Sequence, residues 1–219
     1  PRVSRMPKHA FSHVTTWVFD LDHTLYPPKM GLFDQIEERM TRYVMREIGV
    51  DQTEADRLRA TYWRDYGTTL AGLMRVHAID PDPYLHEVHD IDFSVLAPDP
   101  GLAETIAALP GRKIVYTNGS APYARNVLAA RGLSEPFEEI YGIEHAGYFP
   151  KPERIAFETV FAKDGLDPTK AAMFEDDHRN LKVPHAMGLN TVLVAPDAKD
   201  EPHLQHHTND LGAFLNQLL

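Results

Sequence analysis

The apolar residues of this chain fall into short runs that are separated by stretches with helical periodicity. Four runs that are continuously apolar or rich in β-branched residues predict buried strands, at residues 13–20, 113–117, 171–174 and 191–194. They lack strict alternation with polar residues, which is typical of parallel strands covered on both faces. Capping residues and periodicity predict helices at 100–109, 120–132, 153–163, 179–187 and 210–219. Alternating strands and helices predict an α/β fold built on a doubly wound parallel sheet.

Residues 27–96 break this alternation, because apolar residues recur there at helical spacing without a strand pattern. The spacing predicts three helices, at about 36–49, 58–62 and 70–77. Proline-rich segments at 26–28 and 97–100 would form the two hinges of this insertion. We therefore predict two parts, an α/β core made of residues 1–26 and 97–219 and a small all-helical cap made of residues 27–96.

Composition narrows the class of protein. Hydrophobic residues make up 43% and charged residues 25% of the chain, as in soluble globular proteins. No apolar run approaches the roughly 20 residues that span a bilayer. The basic stretch at 1–16 lacks the apolar segment of a secretory signal, and we predict an irregular lead-in to the first strand. The chain has no cysteine, which excludes disulfides and a cysteine nucleophile, so we expect a cytoplasmic protein without a membrane partner.

The net charge of −10 constrains the partners further. Nucleic-acid-binding surfaces need clustered Lys and Arg side chains, so this balance argues against a nucleic-acid partner. A small anionic substrate would meet an unfavourable mean field over most of the surface. A site for such a substrate must therefore supply positive charge locally.

Acidic side chains follow two of the predicted strands, at the edge where a doubly wound sheet binds ligands. Asp20 and Asp22 come at the end of the first strand, and three successive acids, Glu175, Asp176 and Asp177, follow the third. Acids this close together repel unless a counter-charge is present, and a hard divalent cation with oxygen ligands is the usual one. A turn or a solvated loop would be the simpler interpretation of either group alone.

The second strand and one later loop add groups suited to phosphate. Thr117, Asn118 and Gly119 offer a hydroxyl, an amide and free backbone N–H groups at the start of a helix. Lys151 lies between two prolines, which stiffen the backbone and present the ammonium from a defined place. Ordinary turn chemistry would also account for the first group, and solvation for the lysine.

The order of these motifs is more specific than any one of them. The chain resembles the haloacid dehalogenase superfamily, whose motifs occur in the order of a strand with D-x-D-x-T, a strand with T-N, a loop Lys-Pro and a strand with E-D-D. The resemblance covers essentially the whole chain, cap included. The resemblance implies that Asp20 is a nucleophile that forms an aspartyl-phosphate and that Asp22 is the general acid and base. It also implies Mg²⁺, held by the Asp20 carboxylate, the Asp22 backbone carbonyl and Asp176.

The other site residues take supporting roles by the same resemblance. Glu175 and Asp177 would orient the water ligands of the metal. Thr117, Asn118 and Lys151 would hold the phosphoryl oxygens, with the backbone at Gly119 completing the cradle for the substrate. Mg²⁺ and Lys151 would then supply the positive charge that the acidic chain otherwise lacks.

Within the superfamily, the first motif resembles that of the pyrimidine 5′-nucleotidase branch. That branch commonly reads F-D-L-D-N-T-L-Y-P, and residues 19–27 match it with His23 in place of Asn. His23 could contact the substrate or tune Asp22, but we interpret it as a turn residue. The resemblance implies a phosphoric monoester hydrolase whose partner is a small phosphate ester, a nucleoside monophosphate. Tyr26, Lys29, Tyr43 and Trp63 could line its pocket, but we predict that Tyr43 and Trp63 belong to the core of the cap.

Other functions are weighed against this one. Asp22 argues against a dehalogenase, because those enzymes replace the second acid and use no metal, whereas sugar-phosphate phosphatases and phosphomutases keep both acids. A phospho-Asp signalling module would carry its acceptor on the third strand and would lack an insertion of about 70 residues. A catalytically silent scaffold is disfavoured because every candidate group is present.

Overall fold

The computed structural model of the protein describes residues 7–219, and a six-stranded sheet lies at its centre. The strands are β1 (Thr16–Phe19), β2 (Arg112–Tyr116), β3 (Glu139–Tyr141), β4 (Ala171–Glu175), β5 (Asn190–Val194) and β6 (His206–Thr208). Their spatial order is β3-β2-β1-β4-β5-β6, and every neighbouring pair is parallel. The order reverses between β1 and β4, which is the point where doubly wound sheets bind ligands.

Helices fill the connections between the strands. They are α1 (Pro7–Ala10), α2 (Leu32–Val44), α3 (Gln52–Tyr66), α4 (Thr69–His77), α5 (Pro81–Val88), α6 (Pro100–Ala108), α7 (Ala121–Arg131), α8 (Arg154–Asp164), α9 (Lys182–Met187) and α10 (Leu211–Asn216). Side-chain caps start several of them: Asp99 accepts from the Leu102 N–H and Ser120 from the Tyr123 N–H, which satisfies donors that the first turn leaves free. None of the helices in the described residues combines the length and the apolar character needed to cross a membrane.

Both faces of the sheet are covered. On β1, Trp17 and Phe19 pack into one buried cluster and Val18 into another, because successive side chains of a strand point to opposite faces. Helices α6, α7 and α10 contribute to the first cluster, and α8 and α9 to the second. The first cluster continues into the helices of residues 27–96. The predicted α/β fold with a doubly wound parallel sheet is therefore confirmed.

The segment 27–96 is helical, as its spacing predicts, but it holds four α-helices instead of three. Helices α2 to α5 follow one another, and α2 continues as a π-helical turn over Met45–Gly49. Helix α5 was missed because it is short and contains two prolines; Asp80 caps it and Pro81 occupies its first turn. We call residues 27–96 the cap. That the cap forms a unit of its own stays a prediction.

Three further elements differ from the sequence prediction. Strands β3 and β6 lie at the two edges of the sheet and are only three residues long. Strand β3 has two apolar residues and β6 has none, so neither forms an apolar run long enough to predict a strand. Helix α1 replaces part of the predicted irregular lead-in, whose residues 1–6 lie outside the described part of the chain. The four strands that were predicted are present, and the first covers only Thr16–Phe19 of the predicted residues 13–20.

The packing of α3 against α4 depends on the absence of a side chain at Gly72. A Cβ atom there would overlap the Cβ and Cγ atoms of Tyr62. We expect Gly72→Ala to lower the free energy of unfolding by about 1–3 kcal/mol, because overpacking forces neighbouring side chains out of place. Urea denaturation measures this loss.

Gly212→Ala is the matched control, since Gly212 is also helical but its added Cβ would meet no atom closer than 3.7 Å. There the better helix propensity of alanine should leave the protein unchanged or more stable by up to about 1 kcal/mol. Equal stability of the two variants would show that the contact between α3 and α4 is not as tight as described.

Candidate active site

The polar residues singled out in the sequence meet at the carboxyl ends of β1, β2 and β4. Asp20 follows β1, Thr117 follows β2 and Glu175 ends β4, and these three strands are neighbours in the sheet. A cleft of about 760 Å³ opens above them, roofed by the cap. All nine predicted site residues line it: Asp20, Asp22, Thr117, Asn118, Gly119, Lys151, Glu175, Asp176 and Asp177.

The ammonium of Lys151 is the centre of this arrangement. Its side chain is 1% exposed, and Nζ lies 3.0 Å from Asp20 Oδ1, 2.9 Å from Glu175 Oε2 and 2.9 Å from the Tyr116 carbonyl oxygen. These acceptors satisfy all three of its N–H donors. Burial by itself would lower the pKa of Lys151, but the Asp20 and Glu175 carboxylates outweigh it and raise the pKa. The lysine therefore stays charged.

Asn118 holds the backbone of Lys151 in place. Its Nδ2 donates to the Lys151 carbonyl oxygen at 3.1 Å, and its Oδ1 accepts from the Lys151 N–H at 2.8 Å. Both ends of the amide thus bond to the Lys151 backbone, although Asn118 also lines the cleft. That Asn118 contacts the phosphoryl oxygens stays a prediction. Thr117 is buried beside it, and its Oγ1 accepts from the Gly119 N–H at 3.0 Å.

Three carboxyl groups of the cleft lie around a single ammonium, that of Lys151. Carboxylate oxygens of Asp20, Glu175 and Asp176 lie within 4.8 Å of one another. Burial, together with the charge of Asp20, raises the pKa of both Glu175 and Asp176 well above the ordinary range. Burial alone would also raise the pKa of Asp20, but the charge of Lys151, together with side-chain hydrogen bonds from Asp176, Glu175 and Lys151, outweighs it and lowers that pKa.

Three clustered carboxylates and one ammonium fit a divalent cation. Oxygen-only donors on a rigid strand end are the ligands that Mg²⁺ prefers. A cation among them would compensate the charge that now raises the pKa values of Glu175 and Asp176. The residues present therefore fit the predicted metal, with Asp20 and Asp176 as the carboxylate donors.

Asp22 has a different environment from Asp20. Its Oδ1 accepts two hydrogen bonds, from the Tyr26 hydroxyl at 2.7 Å and from the Tyr123 hydroxyl at 2.6 Å. Loss of surrounding water raises the pKa of Asp22 to about 6, although the two hydroxyls oppose the rise. The pKa of Asp20 is thus lowered and that of Asp22 is raised toward neutral pH. Two acids whose pKa values are pushed apart can serve as a nucleophile and as a general acid on a bound ester.

His23 occupies a backbone conformation that few residues adopt. Its φ is 60°, in the left-handed region where Asn, Asp and His are enriched. This explains why His can replace the Asn of the resembled motif, and it agrees with the interpretation of His23 as a turn residue. Its ring packs at 5.4 Å from that of Phe33, and its Nδ1 lies 3.9 Å from Asp176 Oδ2.

Arg179 joins the core to the cap, a role that the sequence did not indicate. Its guanidinium carbon lies 3.6 Å from the centre of the Trp63 ring, and Nη1 and Nη2 donate to the carbonyl oxygens of Trp63 and Gly67 at 2.9 and 3.3 Å. Asp177 pairs with the same guanidinium at 2.8 Å, so in this structure its carboxylate holds Arg179. The prediction that Trp63 is buried is wrong, since 50% of it is exposed, whereas Tyr43 is buried as expected.

With this geometry established, comparisons with known proteins identify the family. A model of haloacid dehalogenase-like hydrolases matches residues 14–188, and the chain belongs to this family of hydrolases. Phosphate metabolism protein 8 of Saccharomyces cerevisiae is 26% identical over an alignment of 194 residues, and the alignment covers 80% of this chain and 60% of that protein. The chain thus spans less than two thirds of that relative.

Many solved structures share the fold, and two of them illustrate its range. The HAD-hydrolase YfnB of Bacillus subtilis, bound to magnesium, is 18% identical, with a TM-score of 0.61 over 94% of this chain and 98% of that one. A 2-haloacid dehalogenase of Pseudomonas syringae pv. Tomato DC3000 is 19% identical, with a TM-score of 0.60 over 94% and 98%. Because a magnesium-bound hydrolase and a dehalogenase share one fold, the reaction must be inferred from the residues of the site and not from the fold.

The burial of Lys151 makes a prediction about stability. Lys151→Met should lower the free energy of unfolding by about 3–5 kcal/mol in metal-free buffer at neutral pH, because Asp20 and Glu175 would lose the cation between them. Chemical denaturation of Lys163→Met, in which an exposed lysine is removed from α8, gives the control, with a change of at most about 1 kcal/mol. Equal losses in the two variants would contradict the central position of Lys151.

Proposed function

We propose that this hydrolase is a Mg²⁺-dependent phosphatase that cleaves small phosphate monoesters through an aspartyl-phosphate on Asp20. The observation that carries the proposal is the contrast between two acids in one cleft. The charge of Lys151 and the hydrogen bonds of its neighbours lower the pKa of Asp20, whereas burial raises the pKa of Asp22 to about 6 and two tyrosine hydroxyls donate to that acid. A nucleophilic carboxylate must be ionised, whereas a general acid must be able to hold a proton near neutral pH. The second acid also argues against a dehalogenase.

In the first step, a carboxylate oxygen of Asp20 attacks the phosphorus of the ester. The bond from phosphorus to the ester oxygen breaks, and its electron pair stays on that oxygen. Asp22 donates its proton there, so that a neutral alcohol leaves and Asp22 becomes a carboxylate. The phosphoryl group is now bound to Asp20.

In the second step, the Asp22 carboxylate takes a proton from a water molecule, whose oxygen attacks the phosphorus. The bond to Asp20 breaks, which restores the Asp20 carboxylate and releases inorganic phosphate. Asp22 holds a proton again and is ready for the next ester. One residue thus serves as acid and then as base, and this splits a slow hydrolysis into two easier reactions.

The phosphoryl oxygens need positive charge and N–H donors. Lys151 lies against Asp20 and can reach a group bound there, and Thr117 and the backbone at Gly119 line the same part of the cleft. Mg²⁺ would be held by the Asp20 carboxylate, the Asp22 backbone carbonyl and Asp176, and would neutralise charge on the phosphoryl group. Glu175 would keep Lys151 in position from the other side.

For the substrate we propose a nucleoside monophosphate, most specifically a pyrimidine one. The support is the match of residues 19–27 to the motif of the pyrimidine 5′-nucleotidase branch, Tyr26 and Pro27 included. The cleft extends from the acids under the cap helices, where Trp63 and Phe33 could face a planar group, and its volume of about 760 Å³ admits a molecule of that size. The name of the yeast relative, which refers to phosphate metabolism, agrees with phosphate chemistry.

The proposal is tested with purified protein and Mg²⁺ on UMP, CMP, purine nucleotides and sugar phosphates. We expect the pyrimidine nucleotides to give the highest kcat/KM. Asp20→Asn should reduce kcat by at least about a thousandfold on every ester, because the nucleophile is lost, while Asp200→Asn, at an exposed position, should behave as wild type. An Asp20→Asn variant with a tenth of the wild-type kcat would contradict the nucleophile, and good turnover of sugar phosphates alone would contradict the substrate.

Metal binding is tested separately, through stability. Mg²⁺ should raise Tm, because a ligand that binds only the folded state stabilises that state by mass action. At a concentration one hundred times Kd, the free energy of unfolding should rise by about 2.7 kcal/mol. Asp176→Asn should abolish this increment, since Asp176 is a predicted donor, and Asp200→Asn should keep it. The same rise in all three proteins would show that the cation binds elsewhere, and full activity after chelation would rule out a metal-dependent reaction.

A further inference from the structure

Two tyrosines converge on a single oxygen of Asp22. Tyr26 lies in the loop after β1 and Tyr123 in the first turn of α7, 97 residues later in the chain, and both side chains are at most 2% exposed. Both hydroxyls donate to Oδ1, at 2.7 and 2.6 Å. Burial raises the pKa of both tyrosines, so they remain neutral donors. Hydroxyls that point at the same atom from separate elements indicate an orientation that the fold maintains.

The shared acceptor determines where Asp22 can carry a proton. A carboxylate oxygen has two lone pairs, and the two tyrosine hydroxyls occupy both lone pairs of Oδ1. A proton on Asp22 must then reside on Oδ2. We propose that Tyr26 and Tyr123 are positioning residues that fix the Asp22 carboxyl, so that its proton is presented to the leaving oxygen from Oδ2.

Contacts from the cap restrain one of the two tyrosines. The ring of His89, which follows α5, stacks on the Tyr123 ring with centroids 4.1 Å apart and planes 8° apart. Burial lowers the pKa of His89 to about 3, so the stacked imidazole is neutral, and its Nδ1 lies 3.3 Å from the Ser120 hydroxyl. Tyr123 is therefore held between the cap and Asp22, and the position of the acid depends on the cap as well as on the core.

The inference rests on the proposed function, and the leaving group tests it. The value of kcat/KM covers the steps up to release of the alcohol, in which Asp22 acts as an acid only. The ribose oxygen of UMP needs a proton to leave, whereas p-nitrophenolate leaves well without one. General acids contribute about 10²–10⁴-fold, and we expect Tyr26→Phe and Tyr123→Phe each to lower kcat/KM for UMP at least about tenfold and for p-nitrophenyl phosphate less than about threefold.

The comparison of two esters on one preparation is independent of how much of a variant is folded, because both values scale with the same active fraction. Tyr141→Phe is the matched control, since its hydroxyl also donates to a buried aspartate, Asp164, at 2.9 Å, outside the cleft. It should leave the ratio of the two kcat/KM values unchanged.

The outcomes separate the two proposals. A wild-type enzyme that hydrolyses neither ester would refute the proposed function and the positioning role with it. An active wild type whose Tyr26→Phe and Tyr123→Phe variants lose equal factors on both esters, or lose nothing, would refute the positioning role alone. A selective loss on UMP that is absent from Tyr141→Phe would support it.

Discussion

The site depends on one buried ion cluster, the ammonium of Lys151 between the carboxylates of Asp20 and Glu175. Charges removed from water are costly unless each finds a partner with good geometry, and removal of one partner leaves the other exposed to that cost. The same lysine reaches the carbonyl oxygen of Tyr116. It therefore ties together the ends of three neighbouring strands, β1, β2 and β4, and its charge contributes to the lowered pKa of Asp20.

A parallel sheet makes such a cluster from residues far apart in the chain. Lys151 and Asp20 are separated by 131 positions, and Lys151 and Glu175 by 24. Because all strands run in one direction, their carboxyl ends share an edge, and the reversal of order beside β1 opens a crevice there. The cap enters the chain directly after β1, which places it over that edge. Arg179 from the core and His89 from the cap then join the two parts at the rim of the cleft.

Much of this could be predicted from the sequence, and the exceptions have physical causes. Continuous apolar runs marked the buried central strands, and the acids were found because they follow those runs. Lys151 was found because it lies between two prolines in a loop at the expected place in the order of motifs. The edge strand at Glu139–Tyr141 is only three residues long, which is too short for a periodic or continuous apolar pattern. Trp63 looked like a core residue on helical spacing alone, since its partner Arg179 is 116 positions away. The bond between Tyr123 and Asp22 spans 101 positions and leaves no local pattern.

The central claim is that phosphate passes through a covalent bond to Asp20, and trapping that bond tests it most directly. A radiolabelled phosphate ester is mixed rapidly with enzyme and Mg²⁺, the reaction is stopped with acid, and the labelled peptide is mapped. The account predicts label on the peptide that contains Asp20, released by hydroxylamine as expected for an acyl phosphate. Label on another residue, or turnover with inversion of configuration at phosphorus and no labelled protein, would contradict it.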